Sequence, residues 1–320
     1  MRAVLIVNPN ATSTTPAGRD LLAHALESRV ELVVEHTDRP GHAVEIAEAA
    51  KRDGMDVIIV HGGDGTVNEV VNGLLGRPGA GRPAPDTLPA VAVVPGGAAN
   101  VFARALGISP DPIEATNQLV DLLDSYRRGG SWRHIGLMDC GEIWAVFTAG
   151  MGVDADVVAA VEAQRAKGRK VTAARYIRIG TREMLLNVRA EPALTLHLPG
   201  REPISGVYFA FVSNASPWTY ANARPIYTNP DTTFDGGLGV FAVTTMNVLT
   251  NLRVVRRMWS KNADIKGSGL IREDDLPWVR ITAERPIACQ ADGDYLGLRT
   301  EMLFTSVPNA LAVVAPTPLS

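Results

Sequence analysis

Two short apolar runs, each ending in a glycine-rich turn that opens a helix-like stretch, constrain this chain more than anything else in it. The first is Val57–Val60, followed by His61-Gly62-Gly63-Asp64-Gly65-Thr66. The second is Val91–Val94, followed by Pro95-Gly96-Gly97-Ala98-Ala99-Asn100. Four consecutive apolar residues rich in valine and isoleucine suit a strand buried on both faces, as in the centre of a parallel sheet. The helices predicted after the turns cover Val67–Leu75 and Asn100–Leu106, with Gly107 as the stop of the second. Glycines let a backbone approach an anion closely, and a helix N-terminus supplies N–H groups and the positive end of a dipole. Two such turns at neighbouring strand ends can build one phosphate cradle.

The rest of the first third keeps the same rhythm. Ala3–Val7 and Glu31–Glu35 read as strands, Pro16–Ser28 and Ala43–Arg52 as helices. This alternation predicts a doubly wound α/β domain over residues 1–130, with ligands at the C-terminal ends of its parallel strands. Gly76–Leu88, rich in Gly, Pro and Arg, reads as an exposed loop. After Tyr126 strand-like pieces crowd together: Ile135–Cys140, Ile143–Thr148, Ala193–Leu198, Val207–Ser213, Gly239–Thr244, Trp278–Ala283 and Pro286–Gln290. Helices are expected near Ala155–Ala166 and Ala173–Asn187. This predicts a second, mainly antiparallel β domain over 131–305. A last strand, Ala310–Ala315, in the segment 306–320 is free to return to the first domain.

A net charge of -3 and a pI near 6.1 argue against nucleic acid as a partner. Cys140 and Cys289 lie far apart without metal-ligand spacing, as expected of two thiols in a reduced compartment. The N-terminus reads as a strand rather than a signal peptide, and no apolar run approaches the ~18–20 residues of a spanning helix. The expectation is a cytoplasmic protein that at most touches a membrane surface, with a homodimer compatible with it.

Asn8-Pro9-Asn10-Ala11-Thr12 follows the first strand. Its amides and hydroxyl can bond phosphate or sugar, or Thr12 or Ser13 can simply cap the next helix. The Gly62–Thr66 turn matches neither G-x-G-x-x-G nor the P-loop pattern. It reads either as a tight turn capped by Thr66 or as a phosphate site. Asp64 favours the second reading, because a carboxylate among phosphate-binding N–H groups can hold Mg²⁺ or accept a proton from a nucleophilic hydroxyl.

Here the residues carry a resemblance. The run Gly62 to Gly73, GGDGTVNEVVNG, resembles the nucleotide-binding signature of the diacylglycerol kinase catalytic-domain family, which includes soluble bacterial diacylglycerol kinases, YegS-like lipid kinases, and sphingosine and ceramide kinases. Pro95 to Gly107, PGGAANVFARALG, resembles the family's second signature. Phe147 to Ala155 resembles the segment opening its β domain, and Asp231–Phe241 and Ala291-Asp292-Gly293-Asp294 resemble its C-terminal signatures. NAD kinases share the G-G-D-G turn, but the second signature and the Asp292-Gly293 turn favour lipid kinases. The resemblance implies an NAD kinase/diacylglycerol kinase-like α/β domain followed by an antiparallel β-sandwich. It implies an ATP- and Mg²⁺-dependent enzyme that phosphorylates a lipid hydroxyl at a membrane surface. The remaining readings are an NAD kinase-like enzyme and a non-catalytic nucleotide or lipid binder.

Carried over by position, Asn8, Pro9, Asn10, Ala11, Thr12, Thr37, Gly62, Gly63, Gly65, Thr66, Asn68 and Glu69 would contact ATP, together with Gly96, Gly97, Ala98 and Asn100 of the second turn. Asp64 would act at the γ-phosphate or on the lipid hydroxyl. Asp294 would stand for the glutamate that is the family's proposed general base; otherwise Asp292-Gly293-Asp294 is a plain hairpin turn. Asp235 would bind a Mg²⁺ with the carbonyls of Thr232 and Gly237, or be a plain Asp-Gly turn. Three positions depart from the family pattern: Ala98 replaces Thr or Ser, Val101 replaces a frequent Asp, and His134 stands where an Asp joins the active-site network. Finally, a basic stretch from Arg165 to Arg182, with Lys167, Arg169 and Lys170, suits an anionic bilayer or ATP phosphates. A second cluster, Arg253, Arg256, Arg257 and Lys261 beside Trp259, suits an anionic bilayer, and either set can instead be a solvated helix face.

Overall fold

The computed structural model describes residues 1–12, 16–79, 81–152, 191–221, 223–260 and 266–317. The chain divides into two compact units. One comprises Met1–Leu137, Glu142–Val146 and Pro308–Ser320, the other Met138–Gly141 and Phe147–Val307.

In the first unit, β1 (Arg2–Val7), β2 (Glu31–His36), β3 (Val57–Gly62) and β4 (Ala90–Pro95) alternate with α1 (Pro16–Glu27), α2 (His42–Arg52) and α3 (Asp64–Leu75). The strands pair in parallel in the order β2-β1-β3-β4. β3 and β4 are buried along their whole length, as their unbroken apolar runs require. Each fully buried Val or Ile of these strands contributes about 1.5–3 kcal/mol. Strand order reverses between β1 and β3, so the chain leaves these two strands toward opposite sides and opens a crevice at their carboxyl ends. α4 (Val101–Ala105) and α5 (Pro112–Arg127) follow β4. No helix was expected between Gly107 and Tyr126, although the start of α5 is signalled: Asp111 caps the helix by accepting from the N–H of Ile113 and Glu114, and Pro112 occupies the first turn. Pro85–Thr87 forms a single 3-10 turn within the Gly76–Leu88 loop. β5 (Arg133–Asp139) and β6 (Trp144–Ala145) complete the series.

The second unit is strand-rich and antiparallel. Its elements are β7 (Thr148–Met151), β8 (Leu194–His197), β9 (Ile204–Val207), β10 (Phe209–Ser213), the hairpin β11 (Thr219–Ala221) and β12 (Arg224–Ile226), β13 (Leu238–Val243), α6 (Val248–Arg257), β14 (Leu270–Leu276), β15 (Trp278–Ala291) and β16 (Asp294–Val313). β14, β13, β10, β7 and β15 lie side by side in that order, all antiparallel, and β8 pairs β15 on a further edge. The two pieces expected at Trp278–Ala283 and Pro286–Gln290 are one strand whose register slips between Thr282 and Ile287. β16 is far longer than the strand expected at Ala310–Ala315. Its first residues pair with β15, and Val313 pairs in parallel with Val91 of β4. The helices expected near Ala155–Ala166 and Ala173–Asn187 lie outside the described residues. Both cysteines are buried thiols outside any disulfide, and burial pushes the Cys289 thiol up to about 12. Among the described residues no helix is long and apolar enough to cross a membrane.

Candidate active site

The two glycine turns touch. The N–H of Gly96 donates to the carbonyl of Gly62 at 2.8 Å, which continues the β3–β4 ladder one step past the strands. A Cβ on Gly97 would lie 2.6 Å from the Cα of Gly63, closer than any real side chain comes. Asn100, in the left-handed region at φ 50°, then locks the second turn. Its Oδ1 accepts from the N–H of Gly97 and its Nδ2 donates to the Gly97 carbonyl, both at 2.8 Å.

Asp64 begins α3, and its carboxylate reaches across to the next helix. Oδ1 accepts from the N–H of Phe102 at 3.0 Å, so a side chain on one helix caps the N-terminus of another. Burial raises the Asp64 pKa, and hydrogen bonds from the N–H groups of Phe102, Val101 and Asn100 work against that rise. The expected Thr66 cap is absent: α3 starts at Asp64, with Gly63 as its N-cap. Instead the Thr66 hydroxyl accepts from Nδ2 of Asn8 at 3.1 Å, which ties the loop after β1 to the turn after β3. Asn8 closes its own turn by accepting from the N–H of Asn10 at 3.0 Å. At the end of β3, burial pushes His61 down, and its Nδ1 lies 3.3 Å from the Val94 carbonyl. The tautomer protonated on Nδ1 would donate there and pin β3 to β4.

These loops surround a cavity of about 430 Å³ at the carboxyl ends of the strands. Asn8, Asn10, Ala11, Thr12, Thr37, Gly63, Gly65, Thr66, Glu69 and Gly97 line it, joined by Asp38, Arg39 and Pro40. The last three were missed, although they follow β2 where a parallel sheet presents its ligand loops. Arg39 bonds both oxygens of Glu45 at 2.8 and 2.6 Å and Oδ1 of Asp38 at 2.8 Å. These two carboxylates, Glu45 first, raise the Arg39 pKa. Desolvation is the largest single influence on Asp38 and would raise its pKa, but the hydrogen bond from Arg39 and the neighbouring His42 and Arg39 charges together bring it down.

Several expected contact residues serve other partners. Glu69 lines the cavity, yet its carboxylate accepts from the N–H groups of Gly41 at 2.9 Å and Ala43 at 3.1 Å, capping α2 from α3. Asn68 is buried away from the cavity, with Nδ2 donating to the Trp144 carbonyl at 2.9 Å. Gly62 lies behind Thr66, while Pro9 and Ala98 are exposed and, like Asn100 and Gly96, do not line the cavity. His134 is paired with Asp86 at 2.9 Å, just before β4 and thus at the end of that strand opposite the glycine turn, so it does not stand in an active-site network there.

In the second unit, Asp292 and Gly293 form the two-residue turn between β15 and β16, both with positive φ (50° and 86°). Asp292 is buried and accepts from the N–H groups of Phe147 and Thr148, each at 3.0 Å. Asp294, next in line, is exposed at the start of β16. Asp235 is likewise exposed. Around it the Thr232 hydroxyl donates to Asp274 at 2.7 Å and the Gly237 N–H to Asp275 at 2.7 Å. Lys167, Arg169 and Lys170 lie outside the described residues.

Residues 2–125 match the family described as "Diacylglycerol kinase catalytic domain". Over those residues this chain is similar to that catalytic domain. A "Probable lipid kinase YegS-like" of Stenotrophomonas maltophilia (strain K279a) is 28% identical over 311 residues, 93% of this chain and 91% of its own. The "Diacylglycerol kinase" of Bacillus subtilis (strain 168) is 40% identical over 117 residues, 35% of each chain. The crystal structure of a diacylglycerol kinase from Bacillus anthracis str. Sterne has the same fold, with a TM-score of 0.69 at 18% identity over 98% of this chain and 97% of that one. The diacylglycerol kinase family is one of transferases, and the cavity occupies the part of the chain that its model matches.

Proposed function

We propose that this lipid kinase transfers the γ-phosphoryl group of ATP to the hydroxyl of a lipid such as diacylglycerol. The observation that carries the reading is the cavity at the strand reversal, where loops after β1, β2, β3 and β4 converge on the N-terminus of α3. An anion is stabilised there by main-chain N–H groups and the helix dipole. In this reading the triphosphate lies along Gly63, Gly65 and Thr66, and Asn8, Asn10 and Thr12 hold its oxygens or the ribose. Catalysis is then mostly positioning and charge neutralisation.

Asp64 bonds main-chain N–H groups through one oxygen, so its second oxygen is the one to face a cation or the acceptor hydroxyl. No group of three His, Cys, Asp or Glu that could hold a metal occurs among the described residues. A Mg²⁺ fits this donor set only as an ion that arrives with the triphosphate and takes Asp64 as a single protein ligand. It would neutralise charge on the phosphoryl oxygens. A second Mg²⁺ at Asp235 would rest on that one carboxylate, the carbonyls of Thr232 and Gly237, and water. In the β-rich unit Asp294 would take the proton from the lipid hydroxyl, and Asp292 would hold the turn that carries it. The enzyme would act transiently at the inner face of a membrane.

The test is transfer of label from γ-³²P-ATP to a total lipid extract, with NAD as a parallel acceptor. The expected result is one labelled, chloroform-soluble product. Label on NAD, or ATP binding without transfer to any lipid, would overturn the reading.

A further inference from the structure

α6 presents two surfaces of different character. Val254 and Met258, four residues apart, are buried in a cluster built from Phe209, Phe211, Phe241 and Met246. Phe211 anchors that cluster, with ring centroids 5.2 Å from Phe209 and 4.9 Å from Trp218. The chain beyond the helix is held as well, since the N–H of Tyr227 donates to the Met258 carbonyl at 2.7 Å. Yet Val255 and Trp259, also four apart, stay 42% and 45% exposed beside the buried stripe. Arg253, Arg256 and Arg257 are exposed on the remaining face. No Asp or Glu occurs in the sequence between Asp235 and Asp264, and Arg257 donates to the Lys266 carbonyl at 2.7 Å.

A helix packed on an aromatic cluster, with an exposed valine bordered by arginines and an exposed tryptophan just past its last residue, has the pattern of an interfacial element. Its apolar edge enters the boundary between headgroups and acyl chains, the tryptophan sits at headgroup level, and the cations meet lipid phosphates. We infer that α6 and Trp259 dock the protein on an anionic phospholipid bilayer, with Val255 and Trp259 inserted and Arg253 and Arg256 on the phosphates. The inference takes the lipid-kinase reading only as the reason for meeting a bilayer, and its test needs no turnover.

The full chain, without ATP, is sedimented with vesicles of phosphatidylcholine alone or mixed with phosphatidylglycerol. Binding is expected to rise at least tenfold with the anionic lipid and to fall with salt. The double variant Arg253→Glu/Arg256→Glu should lose that gain, with its thermal unfolding unchanged. Brominated acyl chains should quench wild-type fluorescence but not that of Trp259→Phe. Equal binding to both vesicles, undiminished binding of the double variant, or quenching that persists without Trp259 would overturn the assignment. So would binding to a soluble polyanion such as RNA in preference to vesicles. If vesicles bind as described while no lipid is phosphorylated, the catalytic reading fails and this one stands.

Discussion

Gly97 and Gly63, on separate turns 34 residues apart, lie so close that a methyl group on Gly97 would sit 2.6 Å from the Cα of Gly63. Backbone stands on both sides of this contact, so neither turn can yield by rotating a side chain. Gly97→Ala should therefore lower stability by about 1–3 kcal/mol and enlarge the gap between the turns, weakening ATP binding. Gly65→Ala is the control, because a Cβ there meets nothing within 4 Å. Denaturant midpoints of the two variants should separate clearly, and equal midpoints would refute the packing argument.

Asp64 has a structural bond as well as a proposed chemical role, and two substitutions divide them. Asp64→Ala leaves the N–H of Phe102 without its acceptor and should cost about 1–3 kcal/mol. Asp64→Asn keeps an oxygen for that N–H and should recover most of the loss, while turnover remains abolished in both. Substantial turnover in the Asn variant would reduce Asp64 to a helix cap.

The raised Asp64 pKa sets the pH dependence. If the ionised form is the active one, the acid limb of the rate profile should lie above the ordinary aspartate range near ~3.9. Stability moves the other way. The ionised carboxylate carries a desolvation cost in the fold, and that cost is relieved as pH falls through the raised pKa. The stability of Asp64→Asn relative to wild type should thus be greatest at neutral pH and decline toward acid. A difference that stays flat with pH would show that Asp64 is not desolvated.

Glu69 was expected among the ATP contacts, but both its oxygens cap α2. Glu69→Ala should cost roughly 1–2 kcal/mol through the lost cap and change the KM for ATP less than threefold. A tenfold rise in KM in a stably folded variant would restore Glu69 to the nucleotide.

Within the β15–β16 turn the two aspartates should behave oppositely. Asp294→Asn should cut kcat strongly with little change in ATP affinity, and Asp294→Glu should keep activity. Asp292→Ala removes the acceptor of two buried N–H groups and should act through stability first. Full activity of Asp294→Asn would leave Asp64 or water as the base.

The features legible in the sequence are those that local chemistry expresses. Val57–Val60 and Val91–Val94 announce central strands, because burial on both faces needs an unbroken apolar run, and the glycine turns mark where each strand hands over to a helix. Polar side chains were legible as types but not as partners. Nothing near Asp64 says that its oxygen caps a helix 38 residues on, nor near Glu69 that it caps the helix before its own. Thr66 passed for a cap because Ser and Thr so often are, while Gly63 performs that role. β15 reads as two pieces in the sequence because Glu284-Arg285-Pro286 interrupts its apolar pattern at a register slip. β16 reads as a short strand because Arg299, Thr300 and Glu301 hide its alternation.

The path of β16 sets a limit on dissection. Its opening residues belong to the antiparallel unit, but from Pro308 onward the chain belongs to the first unit, where Val313 pairs with Val91 and the Val314 N–H donates to the Val91 carbonyl at 2.9 Å. Residues 2–125 are thus a unit of homology without being a unit of folding. A fragment cloned to that boundary would carry the whole glycine cradle and still leave one edge of β4 bare, ready to pair with another molecule.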